Sequence, residues 1–260
     1  MNGMDKPARK VAGLDRWLPA GMAVLALVSA VQLVRLGVAD RVSMTPSMVI
    51  NAWENYDALP EEENWEREWM KVAFSLRWAP DSPLHHETMA SLYMMRTSGP
   101  LAEEIDPKAY ARKAAEHYRS SLRLRPASAH TWANLALAKH RAGEPDREFV
   151  EALHSAARMG AYEPTIGLMF AEAALSNWSR VPPDVRAPVA RTIDYVWTEK
   201  KVETVTEARA AGERSVWCSD TGNSVLVRLC TAVKAREREE LERAAKAGEL
   251  KPVRDGEAGK

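Results

Sequence analysis

An apolar run near the start of the chain limits what its first helix can be. Residues 17–34 read WLPAGMAVLALVSAVQLV, which is 18 residues without an ionisable side chain and with only two polar interruptions. That length is near the lower limit for a helix that crosses a bilayer. We therefore predict a transmembrane helix at 17–36, preceded by a short tail at 1–16.

The charges on either side of this run predict its orientation. Four basic and two acidic residues lie before it, and the region after Arg41 is mainly acidic and aromatic. By the positive-inside rule, the tail at 1–16 stays in the cytoplasm and the rest of the chain lies across the membrane.

Two other interpretations of the run are open. The sequence Val28-Ser29-Ala30 fits a signal-peptidase site, so the segment could be a cleaved signal peptide. It could also be a buried helix of a soluble domain, although a helix that is apolar on every face must then be surrounded by protein. The signal-peptide interpretation, like the transmembrane one, places residues 42–260 across the membrane.

The chain has two cysteines, Cys218 and Cys230, which flank the turn-rich sequence DTGNS. In an oxidising compartment they would form a disulfide worth about 2–3 kcal/mol in the chain-entropy account. The alternative is a pair of unrelated buried thiols. No second cysteine or histidine pair lies nearby to complete a four-ligand site, so we expect no metal.

The overall composition is that of an ordinary folded protein. Apolar residues make up 46% and charged residues 28%, and 36 basic residues balance 36 acidic ones. A balanced charge gives no reason to expect a nucleic-acid partner. Beyond the apolar run the hydrophobic period is helical almost throughout, so the expected fold class is all-α.

Two short stretches, SLRWAPDS at 75–82 and SLRLRPAS at 121–128, share five residues at equal spacing and lie 46 residues apart. Each reads as the end of a helix, a turn with proline, and a serine that caps the next helix. A further helix start is predicted at Thr45-Pro46, and the sequence GEPD at 143–146 predicts another turn between helices.

The apolar positions of these helices resemble a tetratricopeptide repeat, a helix pair of about 34 residues. The matching positions are Ala114, Tyr118, Ser121, Leu122 and Pro126 in one second helix, and Trp132, Leu135 and Ala136 in the next first helix. We assign the longer period of 46 residues to an insertion at 97–108. The prediction is a degenerate repeat array at 45–177, with an unrelated helical bundle as the alternative.

The composition changes after residue 177. Three prolines lie between 182 and 188, and the last of them, Pro188, is tolerable in a helix only near its first turn. Another helix is predicted at 201–211 and is followed by the cysteine pair. We therefore expect a small helical C-terminal region at 178–236 and a solvated charged tail at 237–260.

No motif for catalysis or cofactor binding is present. The phosphate-binding, nucleophile-elbow and zinc-protease patterns are absent, so we predict no enzyme, no catalytic residue and no cofactor. The cluster His85-His86-Glu87 is expected to be solvent-exposed. An unrecognised carboxylate-dependent enzyme is the alternative, if a cleft gathers acidic and histidine side chains from Glu87, His117 or His154.

The absence of catalytic motifs favours a binding protein. Stacked helix pairs curve into a concave surface that commonly holds a peptide or a partner protein. We predict that His130, Asn134 and Lys139, polar residues on the first helix of a repeat, are exposed and contact the partner.

The order of the segments resembles the VpsP-type bacterial polysaccharide biosynthesis family, whose small membrane-anchored proteins occur with exopolysaccharide polymerisation and export machinery. The resemblance rests on this architecture and on the NWSRVPPDVR and WC…LC segments. It implies a single-pass protein of the bacterial inner membrane, largely periplasmic, that binds a membrane polysaccharide polymerase, ligase or export protein. It implies no catalytic residues. The alternative is a periplasmic adaptor of the same build for cytochrome maturation, secretion or envelope division.

Overall fold

The computed structural model describes residues 14–55, 60–97, 106–199, 204–205, 208 and 211–246. These residues form helices and turns without any strand, as the all-α prediction requires. The helices are α1 (Leu14–Asn55), α2 (Glu62–Trp78), α3 (Pro83–Met95), α4 (Pro107–Leu124), α5 (Ala129–Ala142), α6 (Arg147–Met159), α7 (Pro164–Leu175), α8 (Pro183–Glu199), α9 (Arg214–Ser219) and α10 (Ser224–Lys246), with a 3-10 turn at Trp178–Arg180.

Several predicted features fall partly or wholly outside these ranges. They are most of the tail at 1–16, most of the insertion at 97–108, much of the helix at 201–211 and the end of the tail at 237–260.

Helix α1 is long and apolar enough to span a membrane. The candidate span is Trp17–Ile50, with a mean hydropathy of 2.0 in its most apolar window, of which 6% is buried. A buried helix of a soluble core would have most of that window covered by protein, so that interpretation does not fit.

The chain divides into two compact units, residues 1–85 and residues 86–260. In the first unit, the second half of α1 packs against α2. The buried positions are Ala39, Ser43, Pro46 and Ile50 on α1 and Trp65, Glu68, Val72 and Ser75 on α2. Both sets advance by three or four residues, so each helix presents one stripe to the other.

The predicted helix start at Thr45-Pro46 is wrong, because α1 continues through both residues as one helix of 42 residues. A proline inside a helix removes one backbone hydrogen bond and costs about 3 kcal/mol in an exposed helix. Pro46 instead lies on the buried stripe, where packing against α2 offsets that cost.

The second unit contains two layers of helices. Helix α5 packs against α4, α6 and α7, and helix α8 packs against α6 and α7. Side chains join α4 to α6 through Arg119 and Glu148, and α5 to α7 through Arg141 and Glu172. The layers are therefore α5 and α7 on one side and α4, α6 and α8 on the other.

Small and large residues alternate in the core between these layers. The alanines at 111, 114, 136, 152 and 156 are buried, and the larger residues Tyr118, Leu135, Phe149 and Leu153 fill the space between them. The helical period of the sequence predicts each of these positions, and the structure confirms their burial.

The two SLR stretches form the same turn. In each, the amide of the fifth residue donates to the carbonyl of the first at 2.8 Å, and the amide of the eighth donates to the carbonyl of the fifth at 3.3 Å. The hydroxyls of Ser82 and Ser128 then accept the backbone N–H three residues later. The predicted helix ends and serine caps are confirmed at both places.

A third turn of this kind occurs at AARMGAYE, residues 156–163. The amide of Gly160 donates to the carbonyl of Ala156 at 2.8 Å, and that of Glu163 donates to the carbonyl of Gly160 at 3.1 Å. A side chain at Gly160 would collide with Ile166 and would lie 2.9 Å from Cβ of Ala129. The turn therefore lies directly against the start of α5.

The C-terminal region is helical around its prolines. Helix α8 begins at Pro183 and includes Pro188 in its second turn, close to the first turn as predicted. The side chains of Val185, Val189 and Ile193, before and after this proline, are buried. Further on, the sulfur atoms of Cys218 and Cys230 lie 2.04 Å apart and join α9 to α10, as the disulfide prediction requires.

Candidate partner-binding surface

The predicted residues His130 and Asn134 lie side by side on the first turns of α5. The helix begins here because the hydroxyl of Ser128 accepts the N–H of Thr131. His130 is exposed, Asn134 is half-buried, and Nδ2 of Asn134 lies 3.1 Å from Nδ1 of His130. The pair offers adjacent donor and acceptor groups at the surface.

The surroundings of His130 favour its neutral form. Protein atoms remove water from part of the ring and lower the pKa of His130, while the carboxylates of Glu87 and Glu163 act in the opposite direction. With a net pKa below 6.5, the ring is neutral at pH 7, and Nδ1 can accept from the Asn134 amide.

Lys139 does not lie on this surface, and the expectation that it is exposed is wrong. Its side chain is 3% exposed, and Nζ donates to Asp146 at 2.8 Å and to Glu148 at 2.9 Å. Burial alone would lower the pKa of Lys139, but these hydrogen bonds raise it overall. Because Glu148 also accepts two bonds from Arg119, this buried cluster joins α4, α5 and α6.

Glu87 is also held by residues from several helices. Its carboxylate accepts from Ser121 at 2.7 Å and Thr131 at 2.5 Å, and both oxygens accept from Arg125 at 2.6 and 2.8 Å. Burial alone would raise the pKa of Glu87, but the three side-chain hydrogen bonds and the charge of Arg125 lower it overall. Glu87 is thus a fixed anion that joins α3 to the α4–α5 turn.

The histidines next to Glu87 are less exposed than predicted. His85 is fully buried in the first unit, with Nε2 2.8 Å from the hydroxyl of Ser43. His86 belongs to the second unit, where its Nδ1 lies 3.0 Å from Nδ1 of His117. Burial and, as a smaller cause, the charge of the nearby His86 together lower the pKa of His117 to about 4. Adjacency at a helix start predicts exposure only when no neighbouring helix covers that turn.

Among the residues that the structure describes, no contact joins all the groups named for the enzyme alternative. His154 is exposed on α6, and no described contact joins it to Glu87 or His117. Among the described residues, no group of three histidine, cysteine or acidic side chains could hold a metal ion.

Exposed apolar side chains extend the surface around His130. Leu124 ends α4 and Met159 ends α6, and both are exposed, as is Tyr162, at 76%, in the turn before α7. Leu124 directly precedes the turn into α5, and the Gly160 turn, to which Met159 and Tyr162 belong, touches Ala129, so these residues lie at the end of the unit where α5 begins. We call Leu124, His130, Asn134, Met159 and Tyr162 the α5 edge.

The α5 edge includes positions that the sequence did not single out. Leu124 and Met159 occupy the fourth position of the shared turn, each after an exposed arginine, Arg123 or Arg158. The same step, arginine then an apolar residue, is visible in both turn sequences and could have indicated this surface. No protein family, curated protein or solved structure matches this chain.

Proposed function

We propose that this protein is a non-catalytic, membrane-anchored scaffold that binds a protein partner through the α5 edge. The observation that carries this proposal is the grouping of exposed apolar side chains with a polar pair, His130 and Asn134, on one end of the second unit. Interfaces commonly combine apolar and aromatic contacts with a few hydrogen bonds that fix orientation. The fixed Glu87 anion and the buried Lys139 cluster keep the helices behind this surface in register.

The second unit is proposed to be a degenerate tetratricopeptide-like array. Its alternating layers and the turns shared by 121–128 and 156–163 support this proposal, because repeat proteins reuse one helix pair and one turn. The pairs are α3 with α4, α5 with α6 and α7 with α8.

The anchor is proposed to be the first half of α1, in the bacterial inner membrane, with the bulk of the chain in the periplasm. The uncovered apolar window supports insertion, and the basic residues before it support a cytoplasmic N-terminus. A cysteine pair at bonding distance is consistent with an oxidising compartment.

The proposed partner is a membrane polysaccharide polymerase, ligase or export protein. A pull-down of the full-length protein in mild detergent tests this, followed by identification of what accompanies it. We expect a multi-spanning protein of this class to be recovered with the wild type. The double variant His130→Ala/Tyr162→Ala is expected to reduce recovery at least about tenfold, which corresponds to about 1.4 kcal/mol of binding free energy.

The matched control is His154→Ala/Leu241→Ala, which also removes one exposed histidine and one large exposed side chain. It should recover the partner as the wild type does. Equal recovery with both double variants would contradict the α5 edge, and recovery of nothing by a folded sample would contradict the scaffold. Components of cytochrome maturation, secretion or division would instead indicate another envelope adaptor.

A further inference from the structure

Helix α2 carries an apolar stripe on the face turned away from α1. Met70, Phe74 and Trp78 follow one another at four-residue steps, opposite the buried stripe of this helix. Met70 is 59% and Phe74 is 41% exposed, and the rings of Phe74 and Trp78 lie 5.7 Å apart. Arg77, which is also exposed, adds a cation next to the aromatic pair.

A hydrogen bond fixes this end of α2 to a definite point on α1. The guanidinium of Arg35 donates to the carbonyl of Trp78 at 3.1 Å. Arg35 is the first charged residue after the run at 17–34, which as a helix is about 27 Å long. This length is close to the thickness of the hydrocarbon core, so Arg35 marks the place where α1 leaves it.

We propose that the C-terminal turn of α2 lies in the interfacial layer of the bilayer, where Phe74 and Trp78 contact lipid and Arg77 reaches the phosphates. The inference rests on the proposed anchoring of α1 and adds a second contact with the membrane. The lipid surface is the occupant because Trp78, at the end of the stripe, is bonded to Arg35, which directly follows the exposed apolar run of α1. Aromatic rings and arginine are the side chains that favour this layer.

This second contact gives the first unit a fixed orientation. A single transmembrane helix can rotate and tilt, and its tilt is set by neighbouring helices and interfacial anchors. With α2 packed along α1 and its end held in the interface, the α1–α2 pair keeps one face towards the lipid.

Site-specific fluorescence in vesicles tests the proposal with the full-length protein. Single cysteines at Leu25→Cys, Phe74→Cys and Glu66→Cys carry an environment-sensitive dye, while the native cysteines stay protected as a pair under non-reducing conditions. The vesicles contain phosphatidylethanolamine and phosphatidylglycerol with spin-labelled lipid as the quencher. We expect quenching at Phe74 to exceed that at the exposed control Glu66 by at least about twofold.

Each outcome has a separate meaning. Quenching at Leu25 with equal, weak quenching at Phe74 and Glu66 would overturn the second contact and leave the anchor intact. No quenching at Leu25 would overturn the anchor itself. A dye at Phe74 that neither lipid quencher nor aqueous iodide reaches would show that protein, such as a second copy, covers the stripe. If Phe74→Cys fails to fold, the same comparison is made between Met70→Cys and Glu66→Cys.

Discussion

A single carboxylate, that of Glu87, joins three helices of the second unit. Its partners are Ser121 at the end of α4, Arg125 in the following turn and Thr131 at the start of α5. Ser121 and Arg125 lie within the SLR stretch at 121–128, and Thr131 lies in the helix that follows it. Ser121, one of the five residues that the two stretches share, therefore also binds the anion of α3.

We expect Glu87→Gln to lower the free energy of unfolding by about 2 kcal/mol at pH 7, because hydrogen bonds to a charged group are worth more than neutral ones. Urea unfolding in detergent measures this, with the exposed Glu151→Gln as the control. Since folding lowers the pKa of Glu87 below 4.5, its contribution is present above that pH and is lost as pH falls through the folded-state pKa. Equal stability of both variants at pH 7 would contradict the joining role.

The half-buried His117 predicts a pH dependence in a different window. Its pKa is about 4 in the folded protein against 6.5 for an exposed ring, so the unfolded chain binds more protons between these values. Stability contributed by the neutral ring is complete above pH 6.5 and falls as pH drops towards 4, by on the order of 2 kcal/mol.

Thermal unfolding at pH 7, 5.5 and 4.5 measures this loss. His117→Gln should flatten the decrease between pH 6.5 and 4, whereas His154→Gln, on the exposed surface of α6, is the matched control. An unchanged decrease in His117→Gln would show that other groups cause it.

The wrong expectation for Lys139 came from its residue type and not from its position. Lys139 follows Leu135 by four residues and Ala136 by three, so helical spacing places it on their buried face. Asp146, which caps α6, and Glu148, in its first turn, cover the lysine and satisfy its charge. Helical spacing thus indicates the buried position, whereas the partners that satisfy a buried charge come from other helices and are not visible in it.

At the scale of elements, the turns were predictable where their residues are chemically distinctive. Serine caps and prolines mark both SLR turns, and Gly143 marks the end of α5 with a left-handed backbone at φ 74°. The turn at 156–163 contains neither serine nor proline, and the nearest proline, Pro164, comes directly after it. The match between the two SLR stretches therefore did not reveal this third turn. Pro46 was misread as a helix start because a proline inside a helix is tolerated where tertiary packing offsets its cost.

The contact between α7 and α8 predicts an unusual response to a glycine substitution. A Cβ on Gly167 would lie 2.6 Å from Cβ of Val196, so the two helices approach closely because this side chain is absent. Alanine favours a helix over glycine by about 1 kcal/mol, yet overpacking costs about 1–3 kcal/mol. We therefore expect Gly167→Ala to lower the free energy of unfolding.

The control for this substitution is Gly37→Ala, because Gly37 is also helical and has nothing within 4 Å of an added Cβ. Denaturant unfolding in detergent should show no loss for Gly37→Ala. A stabilised Gly167→Ala variant would mean that α7 and α8 move apart at little cost.

At the scale of the whole molecule, the chain joins an apolar helix to two compact units that have different sequence signals. The apolar run and the regular core positions of the second unit follow from periodicity alone. The length of α1 does not follow from periodicity, because contacts between its buried stripe and α2 stabilise its second half. The α5 edge also required the structure, since its members come from the ends of three helices and one turn.

The proposed topology predicts opposite accessibility for the two ends of the chain. In a Cys218→Ser/Cys230→Ser background, one cysteine is introduced at Asn2 or at Glu242, and spheroplasts are treated with a membrane-impermeant maleimide. Glu242→Cys should react in intact spheroplasts, because α10 is exposed and lies on the outer side. Asn2→Cys should react only after the membrane is permeabilised. The reverse pattern would contradict the orientation, and loss of the Asn2→Cys label from a shortened protein would identify the apolar run as a cleaved signal peptide.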